Sequence, residues 1–175
     1  MVPASVPTPG SDEVIVRPAS ADDREFLEHM LAVAADWRPG TPVRPVEQVL
    51  SDPHLARYVD AWPRPGDFGV IAEGAQGRPL GAAWCSHLPA DAPGYGFVAV
   101  TVPEISIGVV AEARGEGIGR GLMRRLIDEA RDRGVTQLSL SVELDNHALG
   151  LYSDLGFSVV SEESGAATMI LDVAA

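Results

Sequence analysis

The chain contains no lysine: all 13 of its basic residues are arginine, set against 25 aspartates and glutamates. Without lysine there is no Walker A phosphate loop, which must close on Gly-Lys-Ser/Thr. The net charge of −12 gives a surface that repels nucleic acid and anionic membranes. Cysteine is nearly absent too. Cys85 stands alone, which excludes a disulfide frame or a thiolate metal cluster and points to a reducing, cytoplasmic setting. The four histidines are scattered, so no metal is expected. No apolar run approaches the ~20 residues that cross a bilayer. The start of the chain has neither the basic residues nor the apolar stretch of a signal peptide. Its prolines and small residues predict a flexible tail over residues 1–12.

With 175 residues, 46% of them apolar, the remainder is expected to form one domain over residues 13–175 with a real core. Residues 14–17 read as a short strand. Ser20 with Asp23 three residues on is a helix start, and Phe26, Leu27, Met30, Leu31 and Ala34 keep one apolar face. A second helical region, 46–59, is interrupted at Asp52-Pro53. Residues 68–73 and 80–87 predict a hairpin. Residues 104–110 alternate as a strand, 117–133 form an amphipathic helix ended by Gly134, and 137–142 alternate again. Asn146 caps a short helix that Gly156 stops, and 157–161 with 168–173 close the sheet as a hairpin around Ser164-Gly165. The sum is an α/β fold with helices on both faces of a mixed sheet.

The most informative stretch is Val109-Val110-Ala111-Glu112-Ala113-Arg114-Gly115-Glu116-Gly117-Ile118-Gly119-Arg120-Gly121-Leu122. A strand runs into a glycine-rich turn that opens a helix. Small residues let a ligand approach the backbone, and free N–H groups at the helix start favour an anion. The dinucleotide pattern Gly-x-Gly-x-x-Gly/Ala fails, because its last position falls on Arg120 or Leu122. What remains is Arg-x-x-Gly-x-Gly, made by Arg114, Gly117 and Gly119. Six arginines lie between Arg114 and Arg133. Those beyond the turn are also placed to pair with helix-surface carboxylates such as Asp128 and Glu129.

This turn resembles motif A of the GCN5-related N-acetyltransferases (GNAT). The segment Asn146-His147-Ala148-Leu149-Gly150-Leu151-Tyr152-Ser153-Asp154-Leu155-Gly156-Phe157 is similar to that family's Asn…Leu-Tyr-x-x-x-Gly-Phe stretch, at the right separation. The likeness is sharp from Glu104 to Phe157. It departs where Val110-Ala111 and Ala113 replace the family's frequent acid-proline pair and aromatic. The resemblance implies a mostly antiparallel sheet with two splayed parallel central strands. It implies acetyl-coenzyme A as co-substrate, with no metal, held by Val109, Val110, Arg114, Gly115, Glu116, Gly117, Ile118, Gly119, Arg120, Asn146 and Tyr152. It implies direct attack by an amine, with the Val109 N–H facing the thioester and Tyr152 as acid for the departing thiolate. Glu104, working through water, is the expected base, with Glu143 or a water chain as the other candidates.

Several readings stay open at this level. Gly108 fits either a bulge or a small residue under a helix. Trp37, Tyr58, Trp62 and Tyr95 fit an acceptor pocket or plain packing. Glu104 and Glu143 also fit solvated strand ends, and Tyr152 fits a core tyrosine. His87 is an outside candidate for the base, while His29, His54 and His147 read as surface or packing residues. The partner is a small-molecule or peptide amine of unspecified identity, and a homodimer is open. A non-catalytic acyl-coenzyme A sensor, a longer acyl donor or an alcohol acceptor are the alternatives.

Overall fold

The structure, a computed structural model, describes residues 13–174; the tail expected over residues 1–12 lies outside them. In chain order the elements are β1 (Ile15–Pro18), α1 (Arg24–Ala35), α2 (Val46–Leu50), α3 (Pro53–Ala56), β2 (Phe68–Glu73), β3 (Pro79–Ser86), β4 (Glu104–Val109), α4 (Ile118–Asp132), β5 (Gln137–Glu143), α5 (Ala148–Asp154), β6 (Ser158–Glu163) and β7 (Ala166–Asp172).

The element starts follow local chemistry. Ser20 and Asp23 form a capping box, with the Ser20 N–H donating to the Asp23 carboxylate at 2.7 Å, and lead through a 3-10 turn into α1. Asp52 accepts from the His54 N–H at 2.9 Å and Pro53 takes the first helical position, so α3 begins afresh there. The helical region expected over 46–59 is therefore two short helices ending at Ala56. Between β6 and β7, Ser164 (φ 52°) and Gly165 (φ 81°) both take left-handed backbone, as a two-residue hairpin turn requires.

The strands form one sheet in the order β1-β2-β3-β4-β5-β7-β6. All neighbours are antiparallel except β4 and β5. Side chains alternate across the sheet and build a core on each face. One gathers Ile105, Leu138, Leu140 and Met169 under Leu122 and Leu126 of α4, with Tyr152 of α5. The other packs Ile71, Ala82 and Trp84 under Leu27 and Leu31 of α1 and Val49 of α2. No helix among the described residues is long and apolar enough to cross a membrane.

The parallel pair is barely a pair. Its register holds only Glu104 opposite Ser139, with the Ser139 N–H donating to the Pro103 carbonyl at 3.1 Å. Beyond that point the strands part. β4 stays attached to β3 along its whole length, and α1 fixes it from above. A Cβ on Gly108 would lie 2.6 Å from the Met30 backbone oxygen, so Gly108 is the small residue under a packed helix. Gly108→Ala is expected to destabilise by about 1–3 kcal/mol through overpacking. Gly121→Ala in α4, where a Cβ meets nothing within 4 Å, should stabilise by about 0.4–1 kcal/mol. Urea midpoints measure both; an unchanged midpoint for Gly108→Ala contradicts the close approach.

Candidate active site

β4 hands over to α4 through a 3-10 turn at Ala111–Ala113 and two left-handed glycines, Gly115 (φ 78°) and Gly117 (φ 81°). An L side chain at either would be strained. Among the described residues, the N–H groups of Gly115, Glu116, Gly117, Ile118, Gly119 and Arg120 have no acceptor. No side chain caps α4, and its first turn carries no acid. Added Cβ atoms at Gly115 and Gly117 would project into open space. The result is a row of free donors at the positive end of a 15-residue helix, open to an anion as large as a diphosphate. Val110-Ala111 and Ala113 keep this turn tight despite their departure from the family pattern, because the Ala113 N–H closes on the Val110 carbonyl at 3.0 Å.

The side chains around the turn divide. Arg114 is exposed, and its Nε donates to the Val109 carbonyl at 3.3 Å. Glu116 is exposed. Arg120 pairs with Asp154 of α5 at 3.1 Å. Farther along α4, Arg125 and Arg133 pair with Glu129, and Arg131 with Asp128. These last three are helix-surface pairs.

Hydrogen-bond parity decides which amides face the gap. The Val110 N–H donates to the Leu80 carbonyl at 2.9 Å. Residues two apart along an antiparallel ladder point the same way, so 104, 106, 108 and 110 turn their polar groups to β3. Ile107 and Val109 turn theirs to the gap, where β5 offers no partner. Val109 thus presents a free N–H to the opening. Val110 does not: its N–H serves Leu80, its carbonyl serves Ala113, and what remains is apolar packing in both cores.

α5 closes the donor side. Asn146 Oδ1 accepts from the Ala148 N–H at 2.9 Å, capping the helix, and Gly156 ends it in left-handed backbone (φ 99°). A Cβ on Gly119 would touch Ile107 of β4 and Leu151 of α5, each at 4.0 Å, which sets α5 beside the turn. Tyr152 is buried, its ring tilted against Phe157 at 6.0 Å between centroids. Its hydroxyl has no hydrogen-bond partner among the described residues. Burial alone pushes it up to about 12, so it holds its proton at neutral pH.

Glu104 is not a solvated strand end. It is 3% exposed, at the fork where β4 and β5 separate. Oε1 accepts from the Tyr58 hydroxyl at 2.5 Å and from the Gly96 N–H at 2.7 Å; Oε2 is buried without a partner. Burial raises the carboxyl above the usual glutamate range, with the Tyr58 and Gly96 bonds pulling the other way. Ser139, opposite in the register, also has a buried, unpartnered Oγ. Glu143 is half-exposed and occupied: Arg38 pairs with it at 2.8 Å, and the Trp37 indole donates to it at 2.9 Å. Trp37 and Arg38 thereby reach across from the end of α1 to β5 and Asp145. Tyr58 and Trp62 are buried, whereas Tyr95 is 60% exposed. His87 stands beside Asp67, and His29, His54 and His147 are exposed. Cys85 is buried, which raises its thiol well above the ordinary range. No group of histidine, cysteine and acidic residues among the described residues could hold a metal.

Gly94, Gly96 and Ser139 beside Glu104 are residues that sequence reasoning missed, and Tyr58 entered it as an acceptor-pocket or packing residue and not as a partner of Glu104. The one visible hint is the pair of glycines flanking Tyr95 just ahead of a strand. A Cβ on Gly94 would fall on Glu104 Oε2, and one on Gly96 would fall on the backbone of Leu140 and Ser141.

The chain is similar to known proteins in sequence and in fold. The chain is 32% identical over 142 residues to a mycothiol acetyltransferase of Saccharomonospora viridis, covering 81% of this chain and 44% of that protein. It thus spans under half the length of that curated relative. The fold matches the ribosomal-protein-alanine N-acetyltransferase of Brucella melitensis (TM-score 0.63, 26% identity, 90% of this chain and 99% of that one). It also matches yncA of Salmonella typhimurium, solved with its cofactor acetyl-CoA (TM-score 0.67, 23% identity, 92% and 94%). The family described as acetyltransferase (GNAT) matches residues 24–157; the chain belongs to the GNAT acetyltransferases.

Proposed function

We propose that this acetyltransferase moves the acetyl group of acetyl-coenzyme A directly onto a primary amine of a small molecule or peptide. One observation carries the reading: a row of unpaired amides leads along a free strand edge to a buried carboxylate at the fork of β4 and β5. The net charge of −12 favours a cationic acceptor, which an ammonium is. The likeness to a mycothiol acetyltransferase agrees with a small-molecule acceptor.

The residues divide the work. The amides of Gly117, Ile118 and Gly119 hold the diphosphate, with Arg114 beside them and Asn146 positioning α5. The bound donor supplies the acetyl thioester. An ammonium has no lone pair, so a proton must leave before attack; Glu104 Oε2 is the free oxygen that takes it, and it does so through water, since Glu104 and Val109 stand at opposite ends of β4, about 16 Å apart at ~3.3 Å per residue. The Val109 N–H donates to the acetyl oxygen as negative charge gathers there. Tyr152 holds a proton at its hydroxyl for the departing sulfur.

Thiol release on mixing acetyl-coenzyme A with an amine panel tests the reading. Release that needs both components supports it; tight donor binding with no turnover on any amine contradicts it. Gly117→Asp puts a strained side chain and a negative charge among the donors. Titration calorimetry should find no acetyl-coenzyme A binding, and parental affinity would place the diphosphate elsewhere. Tyr152→Phe should lower kcat by about 10²-fold at unchanged donor Kd; an unchanged kcat removes the acid role. Because Glu104 is raised, kcat/KM should fall as pH drops through its pKa, while Tyr152 adds no loss until far into the alkaline range. A rate–pH profile of the parent checks this, and a flat acid side contradicts it.

A further inference from the structure

Tyr58 has no part in the chemistry so far, yet its hydroxyl is the most constrained polar group near the fork. It is 5% exposed, donates to Glu104 Oε1 at 2.5 Å and accepts from the Tyr95 N–H at 2.8 Å. The arriving N–H occupies one side of the phenol oxygen and directs its own proton to Glu104. The main chain beneath is bolted down as well. The Tyr58 carbonyl accepts from the Trp84 indole at 3.0 Å and from Ser86 Oγ at 3.2 Å, both on β3. Burial pushes the phenol far above its ordinary range, so it serves only as a donor to the carboxyl.

The effect on Glu104 is asymmetric. Tyr58 and Gly96 both bond Oε1, and Oε2 has no bond. Oε2 is buried because residue 94 is glycine and lets the loop ahead of β4 close over it; a Cβ there would fall on Oε2 and lie 2.5 Å from the Tyr58 hydroxyl. Packing alone would be served by phenylalanine, since a buried hydroxyl is costly unless bonded.

We infer that Tyr58 is the positioning residue for the base: it fixes the Glu104 carboxyl through Oε1, favours its charged form and leaves Oε2 as the oxygen that receives the proton. This rests on the reading of Glu104 as base. The groups acting on Glu104 are few. Tyr58 and the Gly96 N–H bond it, and the charge of Arg57 favours its ionised form; β5 presents Ser139 opposite.

The test is the acid limb of kcat/KM against pH in the full chain. Tyr58→Phe keeps the ring and removes a hydrogen bond to the charged form, so the Glu104 proton affinity rises. The limb should move to higher pH by about one unit, with the acetyl-coenzyme A Kd unchanged within about two-fold. Loss of folded protein lowers the amplitude but does not move the limb. Should Tyr58→Phe fail to fold, 3-fluorotyrosine at position 58 is a stronger donor and should move the limb to lower pH. Glu104→Gln, measured beside them, separates the two claims. If it removes the limb while the changes at position 58 leave the limb in place, Tyr58 has no positioning role and the base stands. If Glu104→Gln keeps both limb and rate, the base reading falls and takes this inference with it.

Discussion

The structure depends on a ladder that stops. β4 and β5 share one register pair and then diverge, leaving the gap-facing backbone groups of Ile107 and Val109 without a partner on β5. Unpaired backbone groups inside a sheet are costly unless something else completes them. Here the free edge opens on the same side as the unpaired amides at the start of α4. The missing hydrogen bonds are therefore concentrated along one path instead of scattered. Everything else holds that path open: β3 anchors the far edge of β4, α1 presses on Gly108, and β7 anchors β5 through an unbroken antiparallel ladder.

The two faces of the sheet carry different halves of the proposed reaction. α4 and α5 share one face, with the glycine turn and Tyr152. The other face carries α1 to α3 and the loop ahead of β4, which enclose Glu104 with Tyr58. Only the fork joins them. Burial raises the Glu104 carboxyl above the range of an exposed glutamate, and the Tyr58 and Gly96 bonds limit how far the shift goes. Glu143, at the far end of β5, is held by Arg38 and Trp37 and forms a strap from α1 to β5.

Much of this was legible in the sequence where local chemistry decides. The Ser20–Asp23 box, the Asn146 cap, the Ser164-Gly165 turn and the left-handed glycines around Glu116 each fix their own few residues. Two motifs in order fixed the sheet. What stayed hidden depends on distant segments meeting. Tyr58 and Glu104 are 46 residues apart, and nothing in either neighbourhood announces the bond. Gly108 read equally well as a bulge, because the answer lies in α1 and the Met30 carbonyl. Alternation marks Val109 and Val110 as strand residues but not which one faces β3, and that parity separates a free amide from a spent one.

The most direct measurement is a crystal structure of the chain with acetyl-coenzyme A. Diphosphate oxygens are expected within about 2.7–3.2 Å of the Gly117, Ile118 and Gly119 amides, with the thioester arm lying between β4 and β5 and its carbonyl at the Val109 N–H. A donor bound elsewhere, with β4 and β5 zipped into a continuous ladder, would contradict this.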